Sequence, residues 1–410
     1  MSSSARRPRP KSAPPRAAAP ATPPPTAAPL LLDCFAIVAP GLETLALAEA
    51  LALGLPAELE PGGGGIGWHG DLRSVLLANA GLRIASRVVV RLAQFEARSF
   101  AELERHARQI PWSRIVVPKG AVRFRVTCKK SKLYHSDAVA QRLADAVTRA
   151  LPGVRAEGAT VADDDTTDDD AQLFVVRLLR DRCTVSADTS GALLHRRGYR
   201  QATAKAPLRE TIAAALIAAS GWDADSPLVD PFCGSGTIPI EGALAARGTP
   251  AGAARTFAAE RWPGVSRSLG DRIRAELAER SRSTPMPPIL GFDRDAGAIA
   301  AAVANAERAG AAADIGFAVR SLSAAAFPGG APGWVVANPP YGVRVGDADR
   351  VRDLWAQLGH VLRDRARGWR LALLSPDPAL ERQLRIPMRV VAQISNGGIP
   401  VRLVVGEVTE

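Results

Sequence analysis

The string Trp334-Val335-Val336-Ala337-Asn338-Pro339-Pro340-Tyr341-Gly342 sets one amide, two prolines and one phenol ring directly after an apolar run. Each proline fixes φ and removes a backbone donor, and the residue before each is held extended. The expected product is a stiff ledge at a strand's carboxyl end, with hydrogen-bond acceptors beside a stacking face. Such a ledge suits a flat heterocycle that carries an amine. An exocyclic amine is a poor nucleophile because its lone pair is delocalised into the ring. If the Asn338 side-chain oxygen and the Pro339 carbonyl both accept from it, the nitrogen pyramidalises and its lone pair is aimed. Tyr341, stacked on the ring, fixes the approach. Catalysis of this kind is orientation and electrostatics, with no covalent intermediate, and no cysteine lies near the ledge in sequence.

A second string, Asp230-Pro231-Phe232-Cys233-Gly234-Ser235-Gly236-Thr237, follows the apolar residues Leu228-Val229. Gly234 and Gly236 allow the backbone to approach a ligand closely. A dinucleotide fingerprint needs a third glycine three residues after Gly236, where Pro239 stands; a phosphate loop needs Gly-Lys-Ser/Thr, which is absent. A nucleophile elbow needs glycine two residues before Ser235, and Cys233 is there. Asp230 is placed to accept from the ammonium group of an amino-acid-like cofactor. Asp293, ending the next apolar run, is placed to accept from two ribose hydroxyls. Acid, Gly-x-Gly, ribose acid and Asn-Pro-Pro-Tyr, in that order, describe S-adenosylmethionine.

These strings need a framework that brings strand ends together. Pro227–Asp230, Pro288–Asp293, Phe317–Val319, Trp334–Asn338 and Trp369–Leu374 read as strands, with helices at 207–220, 238–247 and 296–309. Met388–Ser395 and Pro400–Glu407, joined by Asn396-Gly397-Gly398, read as a closing hairpin. The fold class is therefore α/β: a doubly wound, Rossmann-like sheet with an antiparallel end, whose ligand sits at the strands' carboxyl ends. Upstream, two smaller α+β units are expected. The first has strands at 30–38, 62–68 and 87–92 with helices to Gly54 and over 72–82; the second has helices at 100–110 and 136–151 with strands at 121–126, 174–179 and 182–187. Residues 1–30, rich in Pro, Ala and Arg, cannot bury a core and read as a basic disordered tail. The acidic run 163–170 reads as a solvated loop.

The chain has 410 residues and a net charge of +11, which suits a polyanionic partner. Much of that charge is arginine in an Ala/Arg/Gly/Pro-rich composition, so the local pattern is more informative. Of six lysines, Lys119, Lys129, Lys130 and Lys132 fall within fourteen residues, followed by Tyr134 and His135. A basic corner beside an aromatic suits an RNA backbone. No uncharged apolar run is long enough to span a membrane. The four cysteines, Cys34, Cys128, Cys183 and Cys233, are scattered with no metal-ligand spacing, which argues for no metal and a reduced, cytoplasmic compartment.

Residues 196–410 resemble class I S-adenosylmethionine-dependent methyltransferases of the amino-methylating branch. The strings Leu194-His195-Arg196-Arg197-Gly198-Tyr199-Arg200, Ala206-Pro207-Leu208-Arg209-Glu210-Thr211, the Asp230–Thr237 string with Ile240-Glu241, and Asn338–Gly342 are similar to the THUMP-containing large-subunit rRNA (guanine-N2) methyltransferases. The resemblance implies a ferredoxin-like domain at 31–97, a THUMP RNA-binding domain at 98–195 and a catalytic domain at 196–410. It implies Asp230, Gly234 and Gly236 at the methionine moiety, Thr211 at its carboxylate, Asp293 at the ribose, and Asn338, Pro339 and Tyr341 at the target base, with Phe232 and Asn338 also at the cofactor. Family members carry an Asp after the third strand, near adenine; Ser321 stands at that position, leaving adenine to Ser321 or a backbone carbonyl. The implied activity is methyl transfer to guanine N2 of 23S rRNA by a monomer. The alternatives are transfer-RNA guanine N2 or adenine N6, DNA adenine N6, and a non-catalytic RNA-binding protein.

Overall fold

Alternating burial builds the first of two sheets. The computed structural model describes residues 31–157, 170–201, 208–282, 284, 286–341 and 348–409; the tail, acidic residues 163–169, Ala206-Pro207 and Gly342 lie outside them. In β1 (Leu32–Ile37), Cys34 and Ala36 are buried while their neighbours are not, and the strand lies antiparallel to both β3 (Gly65–Gly70) and β4 (Arg87–Glu96). Between them come α1 (Glu43–Ala52), the short β2 (Glu58–Leu59) and α2 (Leu72–Gly81), whose Asp71 cap accepts from the Ser74 amide at 2.9 Å. The following unit contains α3 (Phe100–Ala107), β5 (Ala121–Lys129), α4 (Ser136–Ala150), β6 (Arg155–Ala156), β7 (Ala171–Leu179) and β8 (Arg182–Asp188). Its core is aromatic: the Phe174 ring stacks on Phe124 at 5.3 Å and meets Trp112 edge-on at 5.1 Å.

The two units share one sheet. Its order is β2-β3-β1-β4-β8-β7-β5-β6, and β4 pairs antiparallel with β8 from Val89↔Asp188 to Glu96↔Arg182, past a bulge between Arg91 and Ala93. The sequence gives no local sign of this pairing, because its partners are nearly a hundred residues apart.

The second sheet holds the expected doubly wound core. Its elements are α5 (Glu210–Ser220), β9 (Leu228–Asp230), α6 (Thr237–Arg247), α7 (Arg267–Ala278), β10 (Ile289–Asp293), α8 (Ala296–Arg308), β11 (Ile315–Val319), β12 (Trp334–Ala337), α9 (Ala348–Arg365), β13 (Arg370–Ser375), α10 (Pro378–Gln383), β14 (Met388–Asn396) and β15 (Ile399–Glu407). The order is β11-β10-β9-β12-β13-β15-β14, parallel up to β13 and antiparallel through the final hairpin. Helix α9 is additional to the sequence reading. Its buried Val351, Trp355, Leu358 and Leu362 recur at helical spacing among charged residues.

A buried polar cluster joins the two sheets. Glu241 of α6 is fully buried and takes Arg197 Nε at 3.4 Å, the Tyr199 hydroxyl at 3.1 Å and Arg83 Nη1 at 3.7 Å. Arg83 comes from the turn before β4, so the first sheet reaches the helix that leaves the glycine loop. Burial pushes the Arg83 guanidinium down and the Tyr199 phenol well up.

Candidate active site

The order of the second sheet puts its chain reversal at β9: β10 lies on one side and β12 on the other. Ligands of open α/β sheets collect outside the carboxyl ends at such a point. The register is specific. Gly291 lies level with Asp230, and Val335 level with Val229. Asp293 and Asn338 therefore each stand two residues beyond the level of Asp230, on the strands to either side.

Asp230 is 1% exposed, and its Oδ1 accepts from the Phe232 amide at 3.0 Å. Burial, then the nearby Asp293 charge, push its carboxyl up to about 8 against the Phe232 hydrogen bond. Asp293 ties two elements together: its Oδ2 accepts from the Gly234 amide at 3.1 Å and its Oδ1 from the Asp295 amide at 3.0 Å. Gly234 and Gly236 both have positive φ, +51° and +85°. A Cβ on Gly236 would lie 2.9 Å from the Ala302 Cβ, whereas one on Gly234 would enter open space. Gly236 thus lets the loop pack on α8, while the space beside Gly234 is open.

Asn338 follows β12 directly; Pro339 is buried, Pro340 is exposed, and Asn338 and Tyr341 are half-buried. The Tyr341 hydroxyl donates to Asn338 Oδ1, the acceptor singled out in the sequence. Asn396 Nδ2 in turn donates to the Tyr341 oxygen at 3.4 Å. Burial pushes the Tyr341 phenol up to about 12, opposed by the Asn396 hydrogen bond. Sequence reasoning saw Asn396 only as a turn residue of the β14–β15 hairpin. The antiparallel end of the sheet is what carries it back to the ledge.

Ser321 follows β11, exposed, with its hydroxyl 3.0 Å from that of Ser323. The Arg320 amide donates to the Asp293 carbonyl at 2.9 Å, so Ser321 sits beside the strand end that bears Asp293. Phe232 is half-buried against the cluster that contains Phe292 and Leu322. Thr211 is buried in the first turn of α5, next to Glu210, which pairs with Arg200 at 3.2 Å. Arg200 also donates to the Thr237 hydroxyl at 3.0 Å, connecting α5 to the start of α6. The lysines are divided. Lys129, Lys130 and Lys132 lie at the carboxyl end of β5, where the Lys132 amide donates to Asp181 at 2.7 Å. Lys119 precedes the nine-residue strand, about 30 Å away at ~3.3 Å per residue. Tyr134, 68% exposed, lies with its ring 4.0 Å from that of His135 near the three clustered lysines.

These residues fit the methionine and ribose of the cofactor. The space beside Gly234 is open, the Asp230 carboxyl is buried in the same loop, and Asp293 spends one bond per oxygen on backbone amides, within the acceptor capacity of a carboxylate. Among the described residues no group of three or more His, Cys, Asp or Glu is arranged to hold a metal ion, and no helix is long and apolar enough to cross a membrane.

Residues 197–403 match the family model described as RMKL-like, methyltransferase domain, and residues 33–89 match the RlmL ferredoxin-like domain. The Synechocystis protein slr0064, named as a candidate RNA methyltransferase, is 31% identical over 371 residues, covering 90% of this chain and 95% of its own. The ribosomal RNA large subunit methyltransferase K/L of Syntrophotalea carbinolica is 33% identical over 386 residues, covering 92% of this chain and 53% of its own. The chain spans about half the length of the K/L relatives it matches. The solved structure of SMU.472, named as a candidate methyltransferase complexed with SAH, superposes with a TM-score of 0.80 at 28% identity, covering 93% of this chain and 99% of that one. With family models at both ends of a fold that this structure also adopts, the chain belongs to the RMKL-like family of S-adenosylmethionine-dependent methyltransferases.

Proposed function

We propose that the protein methylates the exocyclic N2 of a guanine in RNA, with 23S rRNA as the substrate and the cytoplasm as its compartment. The observation that carries this reading is the placement of Asn338 and buried Pro339 directly after β12, beside the strand that ends in Asp230. Two acceptors there match the two protons of an aromatic amine. RNA as the source of that amine is supported by the names of the slr0064 and K/L relatives and by the basic, aromatic-flanked corner at 129–135. S-adenosylmethionine supplies an electrophilic methyl group when bound. Asp230, Phe232, Gly234, Gly236 and Thr211 would hold its methionine end, Asp293 its ribose and Ser321 its adenine edge.

The chain's own part in the reaction is positional. Asn338 Oδ1 and the Pro339 carbonyl accept from the guanine amine and hold its lone pair toward the methyl group. The Tyr341 ring stacks on the base, which leaves its helix to reach the ledge. Asn338 Oδ1 already accepts from the Tyr341 hydroxyl, and an amide oxygen has a second lone pair for the amine. Mass spectrometry of nucleosides from rRNA and tRNA of a deletion strain tests the reading. Loss of one N2-methylguanosine from 23S rRNA is expected. Loss from transfer RNA, or loss of an N6-methyladenosine, would replace the substrate, and unchanged RNA would remove the proposal.

A further inference from the structure

The buried side of helix α8 is Ala298, Ile299, Ala302, Asn305 and Ala306, and Asn305 is its one polar residue. Ala302, Asn305 and Ala306, at helical spacing, are all 0% exposed. Asparagine is a poorer helix former than alanine, and burying an amide is unfavourable unless its hydrogen bonds are met. Packing therefore does not account for Asn305, but its bonds do. Its Nδ2 donates to the Ser235 carbonyl at 3.1 Å, while the Gly236 amide of the same peptide unit donates to the Cys233 carbonyl at 2.8 Å. The peptide between Ser235 and Gly236 is thus fixed at both ends, and Ala302 closes on Gly236 from behind.

Arg308, one turn further on, sets the orientation of that amide. Its Nη2 donates to Asn305 Oδ1, which turns the Nδ2 toward Ser235. Its Nε donates to the Tyr199 carbonyl at 2.8 Å, and the Tyr199 hydroxyl donates to Glu241 on α6. The glycine loop is therefore clamped between α8 and the segment that links the two sheets.

We infer that Asn305 and Arg308 are positioning residues for the cofactor loop, holding the Ser235–Gly236 peptide in the orientation that S-adenosylmethionine requires. The inference rests on the reading that residues 230–237 hold the cofactor. Asn305 acts on the loop directly, and Arg308 acts through Asn305.

Calorimetric titration with S-adenosylhomocysteine, paired with steady-state kinetics, tests this. Asn305→Asp keeps the shape and a partner for Arg308 but cannot donate to Ser235. It should raise the dissociation constant and the cofactor KM on the order of tenfold, because a buried carbonyl loses its donor, with kcat at saturating cofactor nearly unchanged. Arg308→Gln, on an exposed residue, should raise both by about threefold and add nothing in the Asn305→Asp background, since the two act as a unit. A purely structural role would lower the melting temperature without this division between KM and kcat. Gly234→Val is the reference for the loop itself. If it weakens binding while Asn305→Asp and Arg308→Gln bind normally, the positioning role is overturned and the loop keeps its assignment. If all three bind normally, both are overturned. Should Asn305→Asp fail to fold, normal binding by Arg308→Gln overturns the inference by itself.

Discussion

The Tyr341 hydroxyl donates a hydrogen bond to Asn338 Oδ1, so the aromatic and the amide of the ledge are engaged with each other before a base arrives. Asn338→Ala should abolish methyl transfer while leaving cofactor affinity nearly intact; near-normal turnover would sink the mechanism. Tyr341→Phe keeps the stacking face and frees Oδ1, so kcat should stay close to wild type. Tyr341→Ala should raise the RNA KM roughly 10- to 100-fold, the worth of one base–aromatic stack. Steady-state kinetics on an RNA substrate distinguishes the two.

Asp293 holds the loop through the bond that Gly234 donates to it, beside the ribose role proposed for it. Asp293→Ala should weaken cofactor binding by about tenfold or more, as the Gly234 amide loses its acceptor along with any ribose contact. Unchanged affinity by calorimetry would remove Asp293 from this role.

Asp230 predicts a proton linkage. Its carboxyl is raised from 3.8 to about 8, chiefly by burial. The folded state therefore holds a proton that the unfolded state releases between those values, and stability from this group falls as pH rises from about 4 to about 8. An ammonium group favours the carboxylate, so cofactor binding at pH 7 should release close to one proton. Titration in two buffers of different ionisation enthalpy measures this. Equal heats, or the same release in Asp230→Asn, would rule out Asp230 as the ammonium acceptor.

The lysines should fall into two groups. Replacing Lys129, Lys130 and Lys132 with Gln should weaken RNA binding and flatten its salt dependence by roughly 0.7 per lost phosphate contact on a single strand. Lys119→Gln, at the far end of β5, should leave that slope alone. Equal effects from both ends would mean an RNA path along the whole strand.

Much of the second sheet was legible because its signals are local. Asp230, Asp293 and Asn338 each follow a short apolar run, and strands buried on both faces produce such runs. The β14–β15 hairpin was marked by Asn396-Gly397-Gly398, where both glycines adopt positive φ. What stayed hidden depends on packing between distant segments. Asn305 looks like a surface residue of an alanine helix until Ser235 is set against it. Asn396 looks like a turn former until Tyr341 reaches it. Helix α9 had a readable apolar period, at Val351, Trp355, Leu358 and Leu362, masked by the charges around it. The lysine cluster shows the reverse error: closeness in sequence across a strand is distance in space.

The pairing of β4 with β8 bears on how this protein can be cut or recombined. Both strands lie inside the eight-stranded order, so a break between residues 97 and 98 would strip each of its neighbour and leave two long raw edges. Bare edges of that kind recruit other chains. The seam that sequence similarity suggests is thus no seam for a scissor. Residues 31–195 keep that pairing whole, but they share one hydrophobic core with the second half and are bonded to it at Trp262 to Gln172 and Gly252 to Ala80 as well as at Arg83 and Glu241, so a graft must carry those partners too.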